Sequence, residues 1–199
     1  MAALSRNGIG SKDKLIAATI ELISCKGFEN TGINEILDKA QVTKSNFYYH
    51  FKSKEELCLS ALDGIADYFF DNVIDSTLLN KSLDPRTRLA KFIRTIIDEM
   101  DKKRCKNGCP FINVGNETCD FYPSFRKKMV YIYDRYTQAI GDCYFAGVEQ
   151  GDFREDFDAE TIADFILSEI NGTIILSKVR KSTKIFERNL NTLLLMLSP

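Results

Sequence analysis

Residues 43–54 read T-K-S-N-F-Y-Y-H-F-K-S-K, and this stretch decides how the rest of the chain is read. Thr43 is a helix-starting residue whose hydroxyl can accept from the open amides of a first turn. Four aromatics, one histidine and three lysines share the segment with it. Phe47 and Phe51 stand four apart, so both fall on one face and anchor a helix to a core. Lys44, Ser45, Asn46, Tyr48, Tyr49 and His50 are left on the outward and flanking faces. Polar residues at the start of such a helix reach base edges in a DNA groove, while Tyr and Lys bind phosphates.

The preceding residues supply what such a helix needs as support. Ile33, Ile36, Leu37 and Ala40 keep the spacing of a short amphipathic helix that starts near Thr31. Gln41-Val42 leaves room only for a tight corner. Upstream, a helix from Ser11, read as its N-cap, to Lys26 carries Leu15, Ala18 and Leu22 on one stripe with Ile16 and Ile23 beside it. Gly27 follows at the place of a left-handed C-cap. Two short helices joined by a tight turn and braced by a third form a helix-turn-helix unit. Ser53 and Glu56 are a capping box that opens a fourth helix, predicted to run to about Leu79.

Downstream the periodicity stays helical, with no run of alternating strand residues. Asp84 and Pro85 read as N-cap and first residue of a helix reaching about Arg104. The run Lys106-Asn107-Gly108-Cys109-Pro110 interrupts it, and a weak helix over 111–119 follows. Long helices are then predicted from Pro123 to Gln150, over 159–181 behind the cap Asp158, and over 183–197. The fold class is all-α with about nine helices: a three-helix DNA-binding domain over 1–55, then a larger helical domain over 56–199 for ligand binding and dimerisation. The 159–181 helix is apolar around most of its circumference, with Ile162, Phe165, Ile166, Ile170, Ile175 and Val179 spread over it. The 183–197 helix carries Leu190, Leu193, Leu194 and Leu197 on one stripe, with Leu195 and Met196 off it. A helix apolar nearly all round is buried on two sides. One side is its own core, and a second copy of the chain covers the other, with Gly172 allowing close approach. A homodimer through 159–181 and 183–197 is the expectation.

Composition bounds the function. At 199 residues, 44% hydrophobic and 28% charged, the chain can build one sizeable core or a small module fused to a larger one. It has no run of eighteen apolar residues, and residues 1–12 lack the apolar stretch of a secretory signal. A cytoplasmic location without membrane association is expected. Six cysteines in that compartment read as reduced thiols. The net charge of −1 excludes a uniformly basic binder, yet Lys39, Lys44, Lys52 and Lys54 fall in 39–54 with no acid among them. Such a footprint suits a protein that meets DNA with one end. A solvated lysine-bearing turn has the same charges, and the interleaved aromatics decide against it.

The run S-K-D-K-L-I-A-A-T-I-E-L-I-S-C-K-G-F, followed by T-G-I-N-E-I-L-D-K-A-Q-V-T-K-S-N-F-Y-Y-H-F-K-S-K-E-E-L, resembles the DNA-binding domain of TetR-family transcriptional regulators over residues 11–57. The resemblance implies an all-helical dimer with one helix-turn-helix per subunit. It also implies a C-terminal domain that binds a small molecule and releases DNA. G-C-P-F-I-N-V-G-N-E, P-S-F-R, G-D-F-R-E-D-F-D-A-E-T-I-A-D-F and N-G-T resemble a common version of that domain. The family usually carries Gly where Gln41 stands and often where Ser45 stands. By position, the DNA-facing residues are Val42, Thr43, Lys44, Ser45, Asn46, Tyr48, Tyr49, His50 and Lys54. Lys44 and Asn46 suit base edges, since Lys approaches guanine acceptors and Asn pairs with adenine. Tyr48, Tyr49, His50, Lys54 and the Thr43 amide suit phosphates. The partner is a palindromic double-stranded operator, and Arg6 can reach an adjacent minor groove.

No catalytic residue, cofactor or metal is expected. His50 is the sole histidine, and nothing near it in sequence supplies a nucleophile with an orienting carboxylate. Cys105, Cys109 and Cys119 make a poor zinc set, having C-x₃-C spacing and no histidine. They also suggest a thiol switch, because Lys102, Lys103, Arg104 and Lys106 flank Cys105 and can depress its pKa. The resemblance adds to this, since some relatives with this type of regulatory domain sense electrophiles through cysteine. The other route is a small apolar effector in a cavity drawn from Tyr68, Phe69, Phe111, Tyr131, Tyr136 and Phe165. Three functions stay open: a ligand-released repressor, the same regulator switched by cysteine oxidation or electrophiles, and a helical enzyme or lipid-binding bundle without a DNA role.

Overall fold

The computed structural model describes residues 10–199; Arg6 lies outside them. Among the described residues there are nine α-helices and no strand. They are α1 (Ser11–Lys26), α2 (Ile33–Ala40), α3 (Lys44–His50), α4 (Lys54–Phe69), α5 (Pro85–Lys102), α6 (Pro110–Thr118), α7 (Pro123–Glu149), α8 (Ala159–Arg180) and α9 (Lys184–Met196). Among the described residues no helix is long and apolar enough to cross a membrane.

The helix ends follow local chemistry, apart from Gly27, whose φ of 79° and ψ of −174° lie outside the left-handed helical region expected of it, and two further departures. Asp84 accepts the Thr87 amide at 2.8 Å and Pro85 opens α5. Asp158 accepts the amides of Glu160 and Thr161 at the start of α8. At α4, Ser53 Oγ accepts the Glu56 amide, while the Glu56 carboxylate accepts the Lys52 amide at 2.7 Å. Ser11, however, is the first residue of α1 and not its cap; Gly10 takes the cap position without a side chain to offer. The second departure is α4, which stays regular only to Phe69. A single π-helical turn, Phe70–Ile74, follows and turns lead on to Leu79. Such turns occur mostly as single interruptions of α-helices, and here Phe70, Val73 and Ile74 are all buried.

Two compact units divide the chain. The first runs to Asp67 and takes back Cys109–Lys128, so α6 and the first residues of α7 belong with the helix-turn-helix. A division at 55/56 places those residues in the other unit. The core of the first unit is Leu15, Ala18, Leu22, Ile36, Leu37, Ala40, Phe47, Phe51 and Leu57, with Ile16, Ile33 and Val42 packed against it. A second cluster joins Phe28 to Tyr122 and Phe125 through edge-on ring contacts at 5.3 and 4.8 Å. Beside it, Ser124 donates to Glu55, and Lys128 pairs with Asp63 at 2.5 Å.

The second unit comprises Tyr68–Gly108 and Met129–Pro199. Helix α9 packs on α8 and α5 through Phe186, Leu190, Leu193 and Leu197. A polar lock sits between α8 and α9: Asn189 donates to Glu169 at 2.6 Å and to Thr173 at 3.0 Å, and Thr173 donates to Glu169. Closing these groups on one another lets Thr173 stay buried and Glu169 and Asn189 half-buried without loss.

Candidate nucleic-acid interface

Helix α3 has seven residues, too few to hold together alone. Three features fix it. Thr43 is extended at φ −74°, ψ 156°, and its hydroxyl accepts the Asn46 amide at 3.3 Å. Phe47 is fully buried and Phe51 nearly so, both in the core beneath α1 and α2. The corner from α2 is set by Gln41 at φ 53°, ψ 48°, with the Gln41 and Val42 amides donating to Asp38 O and Leu37 O. That is the left-handed helix end usually given to glycine. A non-glycine residue there costs about 1 kcal/mol.

With those anchors inside, Thr43, Lys44, Ser45, Tyr48 and Tyr49 are exposed, and Tyr49 is 82% accessible. Val42, Asn46 and His50 are half-buried. The His50 ring stands edge-on to Tyr49 at 4.9 Å. Among the described residues no carboxylate lies at ion-pair distance from Lys44 or Lys52. The expected residues from Val42 to His50 are therefore spread over one corner and the outward and flanking faces of one short helix.

Three side chains are less free than their sequence positions imply. Asn46 donates its amide nitrogen to Ser11 Oγ at 3.0 Å, tying α3 to the start of α1. Lys54 turns back, donating to the Phe28 carbonyl at 3.0 Å with its ammonium 4.0 Å from the centre of that ring. Lys39 pairs with Glu21 at 2.6 Å, and that hydrogen bond holds its pKa above the ordinary lysine value. The open basic charge of this surface is thus Lys44 and Lys52. One bracing residue had no sequence signal at all. Glu117 of α6 accepts the Glu29 amide at 3.0 Å and lies against Gly27, whose φ is 79°. Its partners are some ninety residues earlier in the chain, beyond the reach of any helical spacing rule.

The candidate pocket residues do not converge. Phe69 and Tyr136 meet at 5.2 Å and extend into an aromatic cluster with Phe70, Phe92 and Tyr133. Tyr68, Tyr131 and Phe165 are exposed, and Phe111 is buried in the first unit. Phe165 belongs to an outward stripe of α8, not to a cavity. In the second unit, a cleft of about 530 Å³ between α5 and α9 is lined by Arg94, Ile97, Asp98, Glu187, Leu190 and Asn191. Its lining is mostly polar, where an apolar effector calls for the reverse.

The thiols also differ from expectation. Cys105 is buried, and burial pushes its pKa up, with Asp101 adding to the rise and Lys181 opposing it. The basic neighbours in sequence do not act on it as expected. Arg104 and Cys105 both take left-handed φ of 51°, which turns the thiol inward while the flanking cations stay in solvent. Burial raises Cys119 as well, and it pushes Cys58 and Cys143 up to about 12. Among the described residues no His, Cys, Asp and Glu side chains group to hold a metal.

Comparison with known proteins agrees with this arrangement. Residues 15–61 match the family of bacterial regulatory proteins, tetR family. Residues 85–193 match the tetracyclin repressor-like C-terminal domain. An uncharacterized HTH-type transcriptional regulator in the lacX 3′ region of Lactococcus lactis subsp. lactis is 27% identical over 183 residues, 92% of this chain and 91% of its own. The HTH-type transcriptional repressor DhaR of a Mycobacterium species is 27% identical over 176 residues, covering 87% of this chain and 85% of that one. In fold, the crystal structure of regulatory protein TetR from Rhodobacter sphaeroides superposes with a TM-score of 0.86 at 24% identity, covering 94% of this chain and 98% of the other. The chain belongs to the TetR family, the helix-turn-helix DNA-binding regulators of bacterial transcription.

Proposed function

We propose that the protein is a cytoplasmic, homodimeric repressor that reads a palindromic operator with α3 and leaves it when a small molecule binds the second unit. One observation supports this most: α3 is locked from beneath by Phe47 and Phe51 while Thr43, Lys44, Ser45, Tyr48 and Tyr49 project from its free face. Lys44 and Ser45, at the helix start, suit base edges, and Tyr48 and Tyr49 suit phosphates. Because Asn46 is held by Ser11, Lys44 takes the larger part in base reading. Lys54 can offer its remaining donors to a phosphate while the Phe28 carbonyl holds one.

The second copy is proposed to cover the outward stripe of α8. Phe165, Gly172, Ile175, Leu176 and Val179 face solvent at helical spacing, and Val179 is 73% exposed. Open space stands where a Cβ on Gly172 would be. On α9, Leu195 and Met196 add to the apolar surface. A two-fold dimer would set two α3 helices roughly 34–36 Å apart, one turn of DNA. Effector binding near the Phe69–Tyr136 cluster, at the π-helical end of α4, would change that spacing. Reversible ligand binding is preferred to a thiol switch because Cys105 is buried, and burial raises the pKa of Cys105 and Cys119 where a reactive thiol calls for a lowered one.

Fluorescence anisotropy of duplex DNA from immediately upstream of the protein's own gene tests the reading. Tight binding that weakens steeply with salt supports it. Binding of that duplex no better than random DNA of equal length rejects control of its own promoter.

A further inference from the structure

The second unit carries a basic end that the reading above does not use. Lys102, Lys103, Arg104 and Lys106 close α5, and Lys178, Arg180, Lys181, Lys184 and Arg188 surround the corner from α8 to α9; all are exposed. The fold joins these segments. Thr183 Oγ1 donates to Asp101 Oδ1 at 2.8 Å, and α5 packs on α9. One end of one unit thus holds a third of the chain's 27 basic residues, on a molecule whose net charge is −1.

The neighbouring acids are fewer than the cations, and two of them are engaged. Glu99 pairs with Lys102 at 2.9 Å and reaches Lys103 at 4.0 Å, and Asp101 accepts from Thr183. Asp98 faces the cleft beside Arg94, and Glu187 is the lone acid within 178–188. Among the described residues, Arg104, Lys106 and the five cations of the corner have no carboxylate at ion-pair distance. A shallow groove of about 460 Å³ runs through the corner, lined by Arg180, Lys184 and Arg188 together with Ser182, Ile185 and the carboxylate of Glu187.

We propose that this basic end is a second nucleic-acid surface, which holds the phosphates of DNA flanking the site read by α3, without sequence preference. The proposal rests on the reading of α3 as the operator helix. Two arguments select DNA over an acidic protein. A protein interface needs an apolar centre depleted of charge, yet Val179, which continues the α8 stripe, is the one exposed large apolar side chain among the described residues of 102–106 and 178–188. Clustered unpaired Lys and Arg without such a centre are the footprint of phosphate binding. The second argument is covalent. The chain leaves this unit at Gly108 and enters the unit holding α3 at Cys109. Lys106 is thus three residues along the chain from the first residue of that unit's second segment.

The test uses a palindrome selected by the full-length protein from a random pool. It is prepared as a duplex of the bare site and as one with about 15 base pairs of arbitrary flank on each side. Affinities are measured by anisotropy across a salt series. The flanked duplex should bind about tenfold tighter near 0.1 M salt, with a salt slope steeper by about 0.9 per added phosphate. The triple variant Lys106→Gln, Lys178→Gln, Lys184→Gln should lose that difference, bind the bare site as the wild type does, and keep the wild-type melting temperature and mass in light scattering. Equal affinity and slope on the two duplexes for the wild type overturns the proposal while leaving operator reading by α3 intact. A flank advantage that survives in a folded triple variant overturns the assignment to this surface. Failure to select or bind any duplex overturns this proposal and the reading of α3 together.

Discussion

Gln41 shows how a single residue can be legible and costly at once. Its position between two short helices is enough to place a tight corner there, and the structure makes that corner left-handed, with φ of 53°. Gln41→Gly is expected to stabilise the protein by about 1 kcal/mol in urea unfolding, with operator affinity unchanged; a loss of stability would contradict the assignment. Cys105 shows the opposite case. Four cations beside it in sequence suggest a lowered pKa, but burial and Asp101 raise it. Sequence distance misleads wherever the backbone turns one residue inward and leaves its neighbours outside. Cys58 and Cys143 give a pH test of the same physics, since burial lifts each from 9.0 to about 12. The folded state keeps these protons longer than the unfolded chain does. Their contribution is therefore intact below pH 9 and declines as pH rises towards 12. Urea stability of the wild type should fall faster above pH 9 than that of Cys58→Ala/Cys143→Ala, by up to roughly 1.4 kcal/mol per pH unit per thiol. Parallel profiles would mean these thiols titrate normally.

At the scale of the element, α3 separates what supports from what touches. Phe47 is fully buried and Tyr49 almost fully exposed, two residues apart on one short helix. Phe47→Ala should cost about 3–5 kcal/mol and abolish DNA binding through loss of fold. Tyr49→Ala should leave the unfolding midpoint within about 0.5 kcal/mol of wild type and still weaken binding. A stable Phe47→Ala protein, or an unfolded Tyr49→Ala one, would reverse their roles. The helix itself was legible because cap, aromatic spacing and corner all point one way. The ties of Asn46 to Ser11 and Lys54 to Phe28 were not, because both partners lie outside the stretch being read. α6 was the weakest helix in the pattern, yet it forms and braces the α1–α2 turn through Glu117. Tertiary contacts outweigh its poor propensity.

For the whole molecule, helix number and order were plain in the periodicity, and the unit boundary was not. The first unit takes back Cys109–Lys128 through Phe28, Tyr122, Phe125 and the Ser124–Glu55 and Lys128–Asp63 pairs. No local pattern announces contacts so distant in sequence. The outward stripe of α8 was legible as excess apolar surface, although Phe165 was also read as a pocket residue. Its exposure, with Val179 on the same face, favours an interface between copies. Val179→Asp is expected to give monomers at micromolar concentration by light scattering and to lower operator affinity at least tenfold, because one α3 then binds without its mate. A dimer of unchanged stability in that variant would move the interface elsewhere. The central claim, that α3 reads a two-fold operator chiefly through Lys44, is tested most directly by selecting sites from random DNA with the wild type and with Lys44→Ala. The wild type should enrich inverted half-sites about one helical turn apart, and Lys44→Ala should relax the preference at one position in each. Half-sites without two-fold symmetry, or an unchanged preference in Lys44→Ala, would contradict it.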